Sequence, residues 1–342
     1  TTEGGYYDGD KIRFRQGTPE KIGGWTQIST STFEGVCRSL HNWVTLGGQN
    51  LIGVGTHLKF YISNVGNYND VTPIRATVSL SNPFTTVSGS AVVTVLDSNG
   101  GYQDGDYVTF SNASAVGGLT IDGEFVVSLS VTTAANSYSI TASSNATSSA
   151  TGGGTVSAAY QINVGNPFAV PIEGWGASSW GSGAWNVGES STTAIRFFSQ
   201  SNFGEDLIFG NNGGSIFYWD ATGSVTTRAV LLSTLSGASD VPVAQNLILV
   251  SDISRFVFCF GTNEIGSDTI DPTLLRWSDQ EDATNWTPSA TNQAGSLRLS
   301  RGTKIVAASQ ARQEVLVWTD SSLYSLQYVG APAVWAATLV GE

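Results

Sequence analysis

The chain has 342 residues, of which 12% are charged, and its formal net charge is −12. This acidic surplus excludes a free-standing basic nucleic-acid binder, because the neutralisation of phosphates needs clustered Lys and Arg. The 40 Gly, 10 Trp, 11 Tyr and 15 Phe, together with long Ser, Thr and Val tracts, favour β structure over helix.

The N-terminal segment contains the nearest approach to a basic cluster in the sequence. Its members are Lys11, Arg13, Arg15 and Lys21. Asp8, Asp10 and Glu20 are interspersed among them, so the segment forms no continuous basic stripe. We expect this cluster to contact a neighbouring protein.

Four segments share one design and predict four similar β units. Each unit has a first strand, a turn, an apolar run, a second turn and an aromatic-rich strand, and the units occupy residues 36–62, 194–220, 243–279 and 305–328. Further strand-like pieces at 71–75 and 226–232 follow two of them. Three or four short strands in a repeat of about 50 residues are typical of propeller blades, which stack because one such sheet buries neither face alone. A β-sandwich and a β-solenoid are the alternatives.

The stretch from 77 to 164 interrupts this rhythm and predicts an inserted domain. It contains no Lys or Arg, and four of its segments alternate like half-buried strands: 90–97, 106–112, 123–131 and 137–143. The pairs Asp104-Gly105 and Asp122-Gly123 are expected to form hairpin turns. We therefore predict an all-β protein with a β-propeller-like body (1–76 and 165–342) and an inserted small β-barrel or Ig-like domain.

A Gly/Ser-rich loop after the insertion carries three tryptophans. Trp175, Trp180 and Trp185 follow one another at intervals of five residues. Exposed Trp rings stack on sugars, but large rigid aromatics also anchor subunit interfaces. We expect an interface here, with sugar binding as the alternative.

Residues that could carry chemistry do not form a recognisable constellation. His41 and His57 lack Cys, Asp or Glu partners at metal-ligand spacing, and no Gly-rich loop ends in Gly-Lys-Ser/Thr. Carboxylate groups around Asp8, Asp104 and Asp279 fit tight turns and loops better than a glycosidase or calcium site. We expect no catalytic residue, metal or cofactor, and hence no enzyme.

The two cysteines, Cys37 and Cys259, are too few for a disulfide framework, and each lies in an apolar strand-like run. We expect both to be free, buried thiols. No apolar run reaches the roughly 20 residues that a membrane-spanning helix needs, so no membrane-spanning segment is expected.

Three stretches carry motifs that also occur together in a known protein family. They are YYDGDKIRFRQGTPEKIGGW at 6–25, most of the first β unit with the following DVTPIR at 38–75, and LLRWSDQEDATNWTP at 274–288. Together they resemble podophage tail nozzle proteins of the tail tubular B or packaged-DNA-stabilisation kind. The resemblance covers most of the chain outside the insertion and rests on scaffold motifs, not on a chemical site. Members of that family are generally longer, so ring-closing blades and any platform domain would lie beyond Glu342.

The resemblance implies a structural protein of the virion, located in the phage tail. It implies a homohexameric ring around a DNA channel, contacts with the adaptor and other portal-proximal proteins and with tail fibres, and a part in retaining and ejecting the genome. Contact with double-stranded DNA should be transient, because an acidic wall repels the duplex. A carbohydrate-binding tail adhesin and a propeller glycosidase are the rival functions.

Overall fold

The structure is a computed structural model that describes residues 9–24, 29–99, 101–129, 135–166, 195–252 and 254–342. Within these ranges the regular elements are antiparallel β-strands and one short 3-10 helix, Leu232–Thr234. The predicted all-β class is confirmed. The described part of the chain has no helix long and apolar enough to cross a membrane.

A β-hairpin comes first, made of β1 (Ile12–Arg15) and β2 (Thr18–Lys21). The body then consists of four sheets of four strands. Sheet 1 contains β3 (Cys37–Val44), β4 (Asn50–Thr56), β5 (Phe60–Asn64) and β6 (Asn67–Asp70). Sheet 2 contains β15 (Phe198–Phe203), β16 (Asp206–Asn211), β17 (Ile216–Trp219) and β18 (Val230–Leu231).

Sheets 3 and 4 follow in the C-terminal part of the chain. Sheet 3 contains β19 (Leu247–Val250), β20 (Val257–Asn263), β21 (Ile270–Trp277) and β22 (Gly295–Arg298). Sheet 4 contains β23 (Ile305–Gln310), β24 (Glu314–Thr319), β25 (Leu323–Gly330) and β26 (Val334–Gly341). In each of these four body sheets the strands pair antiparallel in sequence order, which is the order found in propeller blades.

The first strands of successive sheets contact one another, so β3, β15, β19 and β23 lie side by side. Each sheet contains one of the four predicted units, and the body is propeller-like, as the sequence predicts. One assignment was wrong in detail: the piece at 71–75 is not the last strand of sheet 1, because β6 closes that sheet at Asp70 and Ile74 already begins the next strand.

Alternation along the strands explains why the four sheets stack in a row. On β16, Leu207 and Phe209 belong to the core shared with sheet 1, whereas Ile208 belongs to the core shared with sheet 3. On β20, Cys259 faces sheet 2 and Phe258 faces sheet 4. Successive side chains of a strand point to opposite faces, so an inner sheet that is apolar at both parities must be covered on both sides.

Side chains also bind the inner edges of neighbouring sheets. The backbone N–H groups of Ile248 and Val250 donate to the hydroxyls of Ser199 and Ser201, at 2.9 and 3.0 Å. These serines satisfy donors of the edge strand β19 that its own sheet leaves unpaired. Sheets 1 and 2 approach so closely that a Cβ added at Gly55 would lie 2.7 Å from the Phe198 ring.

Between sheets 1 and 2, the chain forms two further sheets around a separate core. One sheet has the order β11-β10-β14-β7, and the other has the order β12-β9-β8-β13. The eight strands are β7 (Ile74–Ser81), β8 (Phe84–Thr86), β9 (Val92–Leu96), β10 (Tyr107–Ser111), β11 (Gly123–Val126), β12 (Ser137–Thr141), β13 (Ala150–Gly152) and β14 (Thr155–Gln161). Fully buried Phe84, Val93, Phe110 and Val156 fill the space between the two sheets.

The Asp-Gly pairs in this region do not form the hairpin turns that the sequence suggested. Asp104 and Gly105 lie in a turn before β10, but β9 and β10 belong to different sheets. Gly123 is the first residue of β11, at the end of a long connection from β10. The Asp-Gly signal located a turn at Asp104-Gly105 but not at Asp122-Gly123, and a local pattern does not determine which strands pair.

Candidate functional site

The four basic residues of the predicted N-terminal cluster are brought together in the β1–β2 hairpin. Arg13 pairs opposite Glu20, and Ile12 opposite Lys21, so the two rows of side chains lie on different faces. Arg13 and Arg15 share one face, whereas Lys21 lies on the other. All four basic side chains are exposed.

The hairpin turn is set by two residues in the left-handed region, Gln16 at φ 52° and Gly17 at φ 80°. Positive φ at both central positions is the signature of a type I′ turn, which matches the twist of the flanking strands. Ion pairs on the hairpin are exposed: Lys11 contacts Asp10 at 3.7 Å and Arg13 contacts Glu20 at 3.3 Å. The hairpin therefore presents guanidinium groups that are open to a partner. The predicted Trp175, Trp180 and Trp185 interface lies outside the described residues.

A buried lysine joins the body to the inserted sheets. Lys59, next to β5, is only 5% exposed. Its ammonium group lies 3.5 Å from the Glu34 carboxylate and 3.3 Å from that of Asp70, and it also donates to Glu124 on β11. Arg228 adds a second cation, 3.4 Å from Asp70 and 3.7 Å from Glu124. We call these five residues the Lys59 hub.

Further contacts fix the geometry of the Lys59 hub. The Lys59 ammonium lies 4.3 Å from the centre of the Tyr107 ring, whose hydroxyl donates to Glu34 at 2.9 Å. Gln161 on β14 donates to Glu124 at 2.6 Å. Burial opposes the charge on Lys59, but the hydrogen bond to Glu124 and the three nearby carboxylates raise its pKa. The hub therefore ties sheet 1, sheet 2 and the inserted sheets together through paired charges.

Of the carboxylates considered for catalysis, Asp106, Asp279 and Asp282 accept backbone hydrogen bonds, and Asp8 lies outside the described residues. Asp106 is fully buried, accepts hydrogen bonds from the backbone of Gln103 and Val164, and lies 3.6 Å from Arg75. Asp279 and Asp282 accept backbone N–H bonds from residues of their own loop. Within the described ranges, no group of three or more His, Cys, Asp or Glu side chains has the arrangement of a metal site.

The histidines take part in packing contacts. The His41 ring bonds the Asn202 side chain across sheets 1 and 2. His57 Nδ1 accepts the Val36 N–H at 2.9 Å, and burial together with the nearby Arg38 and Arg196 lowers its pKa.

Both cysteine thiols are free; Cys259 is buried as expected, but Cys37 is only half-buried. Cys37 is the first residue of β3, and nothing in its apolar sequence context indicates that partial exposure.

The two ends of the four-sheet stack carry apolar side chains that remain accessible. On sheet 1, Leu40 is 69% exposed and Val44 60% exposed. Beside them is a groove of about 390 Å³, lined by Leu40, Asn42, Trp43, Asn50, Leu51 and Ile52. On sheet 4, the side chains of Leu316, Trp318 and Leu323 alternate away from the buried core and are half-buried. We call these surfaces the sheet 1 end face and the sheet 4 end face.

Sequence reasoning did not identify these end faces, although a signal was present. In the segment RSLHNWV, Leu40 and Val44 have one parity and Trp43 the other. A strand that is apolar at both parities is typical of a sheet covered on two sides. The Lys59 hub gave no such signal, because its partners lie up to 169 residues from Lys59 along the chain.

Comparisons with known proteins give little further information. No family model matches the chain, and no curated protein matches it. Among solved structures, the phage phi92 endosialidase is similar at 14% sequence identity and a TM-score of 0.24, over 91% of this chain and 44% of that chain. The chain therefore spans less than half the length of that protein, and a TM-score this low establishes neither fold nor function.

Proposed function

We propose that the chain is a structural subunit of a phage tail, a nozzle protein whose copies form a ring that continues the DNA channel. The observation that carries this proposal is the pair of apolar end faces on the stack. Each inner sheet of the body is covered on both faces, and the two end sheets each carry apolar side chains that are accessible or half-buried on their outer faces. Accessible apolar side chains grouped on one face of a sheet favour burial against another protein surface.

The remaining parts of the proposal come from the motif resemblance. It supports a homohexamer located in the virion, below the portal and adaptor. The exposed Arg13 and Arg15 on the N-terminal hairpin suit contact with an acidic neighbouring tail protein. The Lys59 hub suits a mechanical role, because it holds the inserted sheets at a defined angle to the body.

Duplex DNA should slide through such a channel without being bound tightly. Each Lys or Arg contact to a phosphate adds affinity and hence resistance to sliding, whereas acidic walls keep the duplex away within a Debye length of about 8 Å. The chain has 27 acidic and 15 basic residues. We therefore expect weak DNA binding by the ring.

The test is the assembly state of the purified chain. Negative-stain images should show rings, and light scattering should give a mass near six times the 35.9 kDa of one chain. The same rings, titrated with duplex DNA near physiological salt, should bind with a Kd no tighter than about 10⁻⁶ M, the tight end of non-specific binding. A chain that stays monomeric at every concentration contradicts the ring, and a Kd far below that value contradicts the sliding channel.

A further inference from the structure

The segment that leads from the basic hairpin into sheet 1 contacts the outer strands of that sheet. We call residues 29–36 the strap. The Phe33 ring meets the Tyr68 ring of β6 edge-on, with ring centres 5.0 Å apart, and the Glu34 N–H donates to the Tyr61 hydroxyl of β5 at 3.1 Å. Every residue of the strap is at least partly exposed. A segment with so little buried surface depends on a few polar contacts and can open locally while the rest of the protein stays folded.

The strap ends against His57, in the turn between β4 and β5. The Val36 N–H donates to His57 Nδ1 at 2.9 Å, and the His57 ring is only 9% exposed. Gly35 has φ 92°, and a Cβ added there would lie 2.7 Å from the Thr56 hydroxyl and 3.2 Å from Nδ1. The chain can therefore approach the ring this closely only because residue 35 is glycine.

The bond between the strap and His57 exists in one protonation state only. A neutral imidazole has one donor and one acceptor nitrogen, whereas both nitrogens of an imidazolium are donors. Because Nδ1 accepts the Val36 N–H, the proton of the neutral ring is on Nε2. A second proton would turn Nδ1 into a donor facing another donor, and the Val36 amide would lose its acceptor.

The cations around the ring oppose this second proton. Arg38 on β3 and Arg196 just before β15 lie close to His57, and burial together with these two charges lowers the pKa of the ring. The other titratable group at the start of β3 is the Cys37 thiol, which donates to the backbone. The surroundings of the ring thus favour its neutral form.

The carboxylates near this turn are engaged elsewhere. Glu34 on the strap pairs with Lys59. The exit of the insertion packs on the same turn through the Gly165 N–H, which donates to the His57 carbonyl at 2.7 Å, and the carboxylate bonded to that exit, Asp106, lies 3.6 Å from Arg75. In the described part of the chain, no carboxylate bonds the His57 ring. A protonated ring would therefore have no anionic partner to replace the lost contact.

We propose that the strap is a pH-sensitive latch, attached to sheet 1 while His57 is neutral and released from it when the ring takes up a second proton. The latch goes beyond the proposed ring and does not depend on it. No residue of the strap belongs to the apolar cores of the body, so the four sheets stay folded when it opens. Since the strap connects the basic hairpin to sheet 1, its release loosens the attachment of the hairpin to the body.

The direction of the pH dependence follows from His57. The pKa of the ring is lowered in the attached state from its ordinary 6.5. The stabilisation of the strap is therefore fully present above pH 6.5 and is lost as the pH falls below that value towards the lower pKa of the attached state.

Hydrogen exchange of the Val36 amide, followed by NMR between about pH 5 and pH 8, tests the latch. Each rate is divided by the intrinsic exchange rate at the same pH. Protection of the Val36 amide should fall by up to about tenfold for each pH unit below 6.5, which is the limit for one proton. Amides of β16 and β20 should stay protected over the same range. Unchanged protection of Val36 down to the lowest pH overturns the latch.

Three variants assign the effect to the His57 ring. His57→Asn puts an amide oxygen close to the position of Nδ1 and cannot titrate, so Val36 should stay protected at every pH. His57→Ala removes the acceptor, so Val36 should exchange freely throughout. His41→Gln replaces the other histidine of the chain and should follow the parent. An equal loss of protection in His57→Asn and in the parent assigns the pH dependence to another group and overturns the latch.

An NMR titration of the parent makes the test independent of how the variants fold. The His57 ring should titrate with a midpoint below 6.5, and its titration should coincide with the loss of Val36 protection. A midpoint above 6.5 would mean that the strap is compatible with the protonated ring. That result, or loss of protection at a pH where the ring does not titrate, overturns the proposal.

Discussion

Phe60→Ala should lower the free energy of unfolding by about 3–5 kcal/mol, the usual cost of removing a large buried aromatic ring. Phe60 is fully buried and stacks on Phe209 of sheet 2, with ring centres 3.8 Å apart and planes tilted by 8°. Its edge also meets Phe198 at 5.2 Å. Truncation therefore opens a cavity in the contact between sheets 1 and 2.

Tryptophan fluorescence during urea unfolding measures this effect in the body alone, because all ten Trp lie outside the inserted strands at 74–161. Phe197→Ala is the matched control: its ring is 47% exposed, so we expect a change within about 0.5 kcal/mol. A loss below about 1 kcal/mol for Phe60→Ala would mean that sheets 1 and 2 do not pack face to face.

Lys59→Met should lower the free energy of unfolding by about 2–3 kcal/mol at pH 8. Removing one member of a buried ion pair leaves its partners uncompensated, which typically costs 3–5 kcal/mol. The lower range is expected here because Arg228 still neutralises Asp70 and Glu124, and Glu34 is more than half exposed. Arg298→Met is the control: its pairs with Glu264 and Asp271 are on the surface, so its loss should stay below about 1 kcal/mol.

The difference in the free energy of unfolding between Lys59→Met and the parent should depend on pH. This dependence tests the role of the charge on Lys59. The pKa of Lys59 is raised in the folded protein, so its stabilisation is fully present below the unfolded pKa of about 10.4 and is lost as the pH rises through the higher folded pKa. The deficit of Lys59→Met relative to the parent should therefore shrink above about pH 10.5. A deficit that stays constant into that range would assign the effect to packing of the lysine stem and not to its charge.

The repeated pattern of turns and apolar runs was sufficient to predict the architecture of the body. Each β unit carries its own strands within a few tens of residues, so local patterns reveal it. The fourth strand of a sheet was harder to predict. In sheet 3, β22 begins 18 residues after β21 ends, and in sheet 4 a turn separates β26 from β25. Whether the inserted segment folds by itself remains a prediction.

The candidate surfaces were less predictable than the fold. The basic hairpin was found because its four cationic residues are close in sequence. The Lys59 hub was missed because Glu34, Asp70, Glu124 and Arg228 come from four separate regions and meet only through long-range packing. The end faces can be predicted only when it is known which sheets have neighbours. That is a property of the assembled stack and not of any one strand.

Gold-labelled antibody against this chain, imaged on whole particles of a phage whose genome carries its gene, tests the proposed tail assignment most directly. Label should appear at the tail, close to its junction with the capsid, on intact particles. Label confined to the tips of tail fibres would indicate an adhesin, and particles without label would indicate a protein outside the virion. Either result would contradict the proposal of a nozzle subunit.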